Sequence, residues 1–270
     1  MHENTLNWQY SATYAEEGKK KEVISYFDGS LRNRQTVTRI NSDENVIVGE
    51  TIYDHQGRPA INVLPVPVID PDCQGADPQK QAALQFYSNF NKNEQDQAYS
   101  RLDFDISSEN EACQVGAAPM NTNSGASNYY SGDNPDQNFE QGYVPDAQGY
   151  PFIQVEYTPD NTGRVRRQGG VGPEFQLGEG HESNYLYGQP NQLELDRIFG
   201  SEVGDASHYK KNVVLDAHRQ ASISYLDQEG RVIATVLAGD SPENLQGIPS
   251  ENQDATMLTV NAFGTENSQN

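Results

Sequence analysis

The sequence is poor in positive charge and in long apolar runs. Lysine and arginine together number 18 against 39 aspartates and glutamates, which gives a formal net charge of -21 at pH 7. Nucleic-acid binding draws most of its affinity from cations that neutralise phosphates, so we expect no nucleic-acid partner. No apolar run approaches the roughly 20 residues of a membrane-spanning helix, and the opening MHENTLNWQY lacks the hydrophobic core of a signal peptide. We therefore expect no membrane insertion.

Cysteine is also scarce. Cys73 and Cys113 are the two cysteines of the chain, and they flank one polar segment. In an oxidising compartment they could form a disulfide, whereas in a reducing one they would be unrelated thiols. The residues alone leave both possibilities open.

Apolar residues are few for a chain of this length. Only 34% of the 270 residues are hydrophobic and the mean hydropathy is -0.80, so the core is thin. The 15 tyrosines and nine phenylalanines still argue against wholesale disorder, because amphipathic rings suit half-buried sheet surfaces. This composition favours an ordered β protein.

One turn pattern recurs along the chain. In DHQGR, Asp54 can accept hydrogen bonds from the backbone that follows it, Gly57 can adopt positive φ, and Arg58 precedes an alternating strand. The same offsets occur in two further places, namely at Asp160, Gly163 and Arg164, and at Asp227, Gly230 and Arg231. Two degenerate copies keep the spacing: Asp28 to Arg32, with Leu31 at the glycine place, and Asp216 to Gln220. The pattern predicts repeated β-hairpins.

The predicted fold is mainly β, with hairpins that form part of a larger sheet or shell and one or two short helices. Unequal spacing between the turns argues against a solenoid of fixed period. Residues 232–237 alternate so that apolar side chains point to both faces, and such hairpins need neighbours to cover them.

The chain divides by composition into four segments. We predict an N-terminal hairpin block over residues 1–68, a polar insertion over 69–149, a second hairpin block over 150–239 and a polar extension over 240–270. Within the insertion, 78–90 could form a short helix, while 121–138 is typical of a loop. In the second block, Pro190 and Gly200 suit the beginning and end of a short helix near 190–199.

Motifs for catalysis are missing. In HESNY, Tyr185 occupies the place where a zinc-protease helix needs a second histidine after His181. In GGVGPEF, Phe175 replaces the small residue of a nucleotide-binding loop, and the sequence contains neither a phosphate-binding G-x-x-x-x-G-K-[ST] loop nor a G-x-S-x-G elbow. Asp70 and Asp72 begin a loop without the glutamate of a calcium-binding EF-hand. We expect no enzymatic activity and no cofactor, and the sequence does not determine metal binding.

The repeated turns and longer phrases around them resemble one family. YDHQGRPAINV and YLDQEGRVIATVLAG are similar to the YD repeats of RHS-type proteins. The phrases NWQYSATYAEEGKKKEVISYFDGSLRNRQTVT, YPFIQVEYTPDNTGRVRRQGGVGPEFQLGEGHESNYLYG and ELDRIFGSEVGDASHYKKNVV resemble the region upstream of the repeat array in very large members of that family, over about residues 7 to 239.

That resemblance implies a structural role outside the cytoplasm. RHS hairpins wind into a hollow shell around a toxin or effector, and the large members are secreted or lie at the surface of Gram-negative bacteria that use type 9 secretion. It implies that the partners are the remainder of the same polypeptide, the secretion machinery and an enclosed effector. It also implies a disulfide between Cys73 and Cys113. The self-cleaving RHS core and the variable toxin domain are missing from this sequence, which therefore resembles one piece of such a polypeptide.

Two other functions remain open from the residues. A carbohydrate-binding adhesin would use exposed aromatic rings as stacking platforms, and the candidates are Tyr129, Tyr130, Tyr185 and Tyr187. A secreted hydrolase would use two of the 39 carboxylates as an acid/base pair, which the sequence does not identify.

Overall fold

The structure is a computed structural model, and it describes residues 5–40, 46–68, 84–105, 116–134 and 142–238. The contacts group the chain up to Leu237 into one unit, and the features below belong to it, apart from Ala238 at the end of the last strand. The predicted extension over 240–270 and both cysteines lie outside the described residues.

Eleven strands lie within these ranges and form a single antiparallel sheet, in which each strand neighbours the next one along the chain. They are β1 Asn7–Tyr14, β2 Lys20–Phe27, β3 Asn33–Ile40, β4 Val46–Tyr53, β5 Pro59–Val68, β6 Phe152–Tyr157, β7 Val165–Gln168, β8 Ser183–Gly188, β9 Lys210–Leu215, β10 Ala221–Leu226 and β11 Val232–Ala238. The predicted mainly β fold is confirmed.

The first strands bury one face of the sheet. In β2, Ile24 and Tyr26 are buried at alternate positions, and Gln35 and Val37 do the same in β3. This period of two is what a half-buried strand requires, because successive side chains point to opposite faces. Residues 84–90 lie over these strands and add Leu84, Phe86, Tyr87 and Phe90 to the cluster.

The polar insertion leaves the sheet and returns to it at the neighbouring position. Strand β5 pairs directly with β6, so that Val63 lies opposite Phe152 and Ile61 opposite Gln154. Described parts of the insertion cover the same strands, where Tyr99, Phe104, Ala117, Met120 and Ala126 join the core around Phe152. The insertion thus supplies apolar cover that the two hairpin blocks lack.

Two short α-helices lie in the described chain, α1 Gly125–Tyr129 and α2 Gln192–Phe199. The second is the helix predicted near 190–199. Its N-cap is Asn191, whose side chain accepts from the Glu194 N–H at 2.8 Å, and it ends at Gly200 with a φ of 83°. Pro190 precedes this cap instead of lying in the first turn, because the asparagine side chain satisfies the first exposed N–H groups.

The insertion differs from its predicted local structure in two places. Helix α1 lies within the stretch predicted as a loop, and no helix occurs over 84–90, the described part of the predicted 78–90 helix. Side-chain partners hold the latter backbone: the Gln35 amide donates to the Tyr87 carbonyl at 3.1 Å and accepts from its N–H at 2.9 Å. These bonds replace those of a helix, because each buried backbone group needs a partner.

Phe152 belongs to the apolar cluster between the sheet and the insertion. It is fully buried, with ring centroids 5.8 Å from Tyr99 and 5.9 Å from Tyr150. We expect Phe152→Ala to lower the free energy of unfolding by about 3–5 kcal/mol, because truncation leaves a cavity between sheet and insertion. Urea denaturation measures the loss. Leu186→Ala, at an exposed site on β8, should cost about 0.5 kcal/mol or less. Equal losses would contradict this packing.

A cross-strand charge network joins β1, β2 and β3. Burial of Glu22 favours its neutral form, but hydrogen bonds from Lys20, Arg39 and Tyr10 outweigh that effect and lower its pKa from 4.5 to about 2. The carboxylate lies 2.8 Å from the Lys20 ammonium, 2.6 Å from the Arg39 guanidinium and 2.7 Å from the Tyr10 hydroxyl.

The pKa of Glu22 predicts a pH dependence of stability. Because the folded-state pKa lies below the ordinary value, the stabilisation is complete above about pH 5 and is lost as the pH falls toward about 2. The difference in unfolding free energy between the wild type and Glu22→Gln should therefore shrink over that interval. Chemical denaturation at a series of pH values tests this, and a difference that stays constant would contradict it.

Candidate functional site

The repeated turns share one hydrogen-bond arrangement. In the Asp54 turn, the Asp54 N–H donates to the Arg58 carbonyl at 2.9 Å, and the Gly57 N–H donates to the Asp54 carbonyl at 3.0 Å. One carboxylate oxygen accepts from the Gln56 and Arg58 N–H groups at 2.9 and 2.8 Å, and the other accepts from the Arg58 guanidinium at 2.7 Å. Gly57 has a φ of 79°. This is a three-residue hairpin loop closed by a left-handed residue.

The same closing bonds occur at both degenerate copies and at the Asp227 turn. Asp28 and Asp216 accept backbone N–H groups two and four residues later, as Asp54 does, and the fourth residue of each turn has positive φ. That residue is Leu31 at 59°, Arg219 at 63° and Gly230 at 82°. A turn with this side-chain acceptor therefore forms even when the residue at the left-handed position is not glycine, although that conformation is strained for other residues.

A further copy was missed by the sequence pattern. Asn93 accepts from the Gln95 and Gln97 N–H groups at 3.1 and 3.0 Å, and Asp96 has a φ of 62°. The letters NEQDQ share neither the acid, the glycine nor the arginine of the motif. This copy keeps only the acceptor at the first place, since an asparagine side-chain oxygen accepts the same N–H groups as an aspartate oxygen, and that single residue type is too common to identify the turn.

The Asp160 turn is wider than the others. Asp160 accepts from the Thr162 N–H at 3.1 Å and from the Arg164 guanidinium at 2.7 Å, and Gly163 has a φ of 71°. The closing backbone bond, however, runs from the Thr158 N–H to the Arg164 carbonyl at 2.8 Å. The aspartate therefore lies inside a longer loop, although its acid, glycine and arginine keep their offsets.

In three of the turns, the arginine stacks on a tyrosine at the end of the second strand after the turn. Arg32 lies 5.1 Å from the Tyr53 ring centroid. Arg58 lies 4.4 Å from Tyr157, and Arg164 lies 4.7 Å from Tyr187. In each pair, the arginine lies at the beginning of one strand and the tyrosine lies at the end of the next strand. These contacts are at the end of the sheet that carries the loops after β2, β4, β6 and β10. We call this the turn end of the sheet.

Each of these tyrosines also makes the same hydrogen bond. Its hydroxyl donates at 2.8 Å to the carbonyl of the residue after the stacked arginine, which gives the pairs Tyr53–Asn33, Tyr157–Pro59 and Tyr187–Val165. Burial raises the pKa of all three hydroxyls, which keeps them protonated as donors. We call a stacked cation with this hydroxyl bond a tether.

A related contact joins β9 to β10. Lys211 lies 5.9 Å from the Tyr225 ring, and both side chains bind Glu194 of α2. The contacts thus follow one rule: a cation near the start of each odd-numbered strand from β3 to β9 lies over a tyrosine near the end of the next even-numbered strand. Cation–π contacts contribute about 0.5–1 kcal/mol each at exposed sites.

Strand β11 is the last strand of the described sheet, and its apolar side chains are exposed on both faces. Val232 is 59% exposed and Leu237 is 71% exposed, with Ile233 and Val236 also exposed. Arg231 is bound by Asp227 at 2.7 Å and by Glu229 at 3.1 Å, but its side chain is 71% exposed. Within the described residues, no ring lies over it.

Two clefts lie beside the sheet. The larger, of about 670 Å³, includes four carboxylates, those of Asp103, Asp105, Glu174 and Glu179. Asp103 accepts from Asn93 at 2.9 Å and Asp105 accepts from the His55 N–H at 2.6 Å, so both hold loops together. The smaller cleft, of about 460 Å³, is lined by Asp28, Arg32, Arg34, Tyr53, Asp54, His55 and Arg101 among others, and its aspartates are the acceptors of two turns.

The aromatic side chains considered for carbohydrate stacking are half-buried. Tyr130 donates to the Pro65 carbonyl at 2.9 Å and packs edge-on against Tyr129, with centroids 5.0 Å apart. Tyr185 donates to Gln168 at 3.3 Å, and Tyr187 lies in a tether. Tyr185 is on strand β8, so HESNY does not form the helix of a zinc protease.

Two features are absent from the described residues. No group of three or more histidine, cysteine, aspartate or glutamate side chains there could hold a metal ion. No helix in the same ranges is long and apolar enough to cross a membrane.

Comparison with known proteins gives one partial match. Residues 3–121 match the model of a family described as Domain of unknown function (DUF6443). The match covers strands β1 to β5 and the first part of the insertion. A search of the curated proteins found no match.

The turn geometry predicts graded effects of substitution. Asp54→Ala removes the acceptor of two N–H groups and of Arg58, and we expect it to lower the free energy of unfolding by about 1–3 kcal/mol. Asp54→Asn should cost less, because Asn93 shows that an amide oxygen supports this turn.

Asp216 offers the matched control. Gln220 occupies the arginine position there, so Asp216→Asn removes no ion pair with that residue and should change stability by about 0.5 kcal/mol or less. Urea denaturation of the three variants provides the comparison. An Asp54→Asn loss as large as that of Asp54→Ala would show that the backbone acceptor contributes nothing.

Proposed function

We propose that this chain is a non-catalytic structural segment of a larger exported protein of the RHS/YD-repeat type. In this role it contributes a run of hairpins to a β-shell or scaffold that carries or encloses an effector. The observation that carries the proposal is the regular construction of the sheet, in which four hairpins are closed by the same turn and cation–tyrosine contacts recur at the turn end.

The exposed apolar surface of β11 supports a role inside a longer sheet. Isolated proteins usually protect an edge strand with charge, proline or a covering loop, since an apolar edge invites pairing with another chain. Residues 232–237 contain neither a charged residue nor a proline. A neighbouring strand would cover their backbone, and a second layer or the inside of a shell would cover their faces.

The alternative functions have less support from the described residues. Tyr130, Tyr185 and Tyr187 have their hydroxyls bound to protein groups and are half-buried, whereas a sugar platform presents an open ring. In the larger cleft, Asp103 and Asp105 already bind neighbouring loops, whereas a hydrolase needs two carboxylates directed at a substrate.

The native polypeptide tests this proposal. We expect immunoblots of the producing cells and their medium, with antibodies against residues 1–237, to show an extracellular product well above the 29.9 kDa of this chain. In that product, hydrogen exchange at residues 232–237 should be at least about tenfold slower than in the isolated chain, because pairing removes these amides from solvent. An intracellular product of 29.9 kDa, or equal exchange rates in the two forms, would overturn the proposal.

A further inference from the structure

The contacts at the turn end of the sheet follow a rule that β11 leaves incomplete. A cation at the start of β3, β5, β7 and β9 lies over a tyrosine at the end of β4, β6, β8 and β10, in that order. Arg231 holds the same place at the start of β11, and the sheet has no further strand among the described residues.

We propose that the outer side of β11 binds an antiparallel strand that ends in a tyrosine, whose ring stacks on Arg231 and whose hydroxyl donates to the Val232 carbonyl. This rests on the proposed function and names the partner that it requires. In each existing tether the acceptor is the residue after the arginine, and that carbonyl faces the next strand. Val232 is the corresponding residue, and it is 59% exposed.

The geometry of Arg231 is already set for this contact. Asp227 holds its guanidinium at 2.7 Å, as Asp54 holds that of Arg58 at the same distance beneath Tyr157. The hydrogen bond from the Arg231 side chain is the largest of several effects that lower the pKa of Asp227, so the carboxylate stays charged and fixes the arginine. A positioned cation loses little freedom when a ring covers it, which favours binding.

The tyrosine comes from outside residues 1–270. The sequence after β11, residues 239–270, contains no tyrosine. A second copy of this chain could offer Tyr14 at the end of its edge strand β1, but two molecules of charge -21 repel each other. We therefore assign the strand to another segment of the larger polypeptide.

A strand peptide provides the test. The probe is the peptide VIVGETIYD, which reproduces residues 46–54 with the tyrosine of the first tether, and its control is VIVGETILD. Binding to the full chain is followed by NMR shifts and by hydrogen exchange at the amides of residues 232–237. We expect the tyrosine peptide to bind at least about fivefold more tightly than the leucine peptide, since it adds a cation–π contact and a hydroxyl bond.

Two variants separate the tether from simple edge pairing. In Arg231→Gln, the ratio of the affinities of the tyrosine and leucine peptides should fall to about one. The turn itself should survive, because Gln220 occupies the same place in the Asp216 turn. Arg58→Gln is the control, since Tyr157 already covers Arg58 and peptide binding should not change.

Three outcomes would overturn the inference. The first is no protection of β11 by either peptide, and the second is equal binding of both peptides to the wild type. Either result leaves the size, location and hydrogen exchange of the native product, and hence the proposed function, untouched. The third is protection of residues 232–237 that rises with protein concentration in the absence of peptide, which would assign the edge to a second copy.

Discussion

The hydrogen bonds from backbone N–H groups to the side chain of the first turn residue set the geometry of this protein. That oxygen accepts bonds from residues two and four positions later, so the turn is closed by the aspartate or asparagine itself. Once the turn is fixed, the register of both flanking strands follows, and a one-residue slip would move every apolar side chain to the wrong face. Where the residue four positions later is arginine, the same carboxylate also orients the guanidinium that reaches the next strand.

Much of the fold follows from local sequence, while the contacts that join its hairpins do not. Asp54, Gly57 and Arg58 identify a hairpin because the turn uses only neighbouring residues. Leu31 and Arg219 weaken the pattern, and Asn93 escapes it, because the side-chain acceptor can hold a left-handed residue without glycine. The tethers could not be predicted: Arg58 and Tyr157 meet only because β5 pairs with β6 across the insertion. Local offsets carry no information about such distant pairings.

The local structure of the insertion could not be predicted from the sequence for a related reason. Its described backbone is held by partners elsewhere, as when Tyr87 bonds to Gln35 or when Asn91 accepts from the Ala126 N–H at 2.9 Å. The helical spacing of apolar residues in a sequence indicates only the conformation that the segment would prefer in isolation. Here the apolar side chains of 84–90 pack on strands β2 to β4, and that burial outweighs the local preference.

The position of the insertion has a consequence for how the chain folds. Hairpins β2–β3 and β9–β10 close short loops, whereas β5 must find β6 across the whole segment between Val68 and Phe152. Closing a long loop costs conformational entropy before any contact compensates for it, and distant pairings slow folding. The two hairpin blocks should therefore form as separate folding units, and their joining at β5 and β6 should limit the rate. During synthesis, the first block would be complete before the second. The edge of β5 at Ile61 and Val63 would therefore stay unpaired until Phe152 of β6 leaves the ribosome.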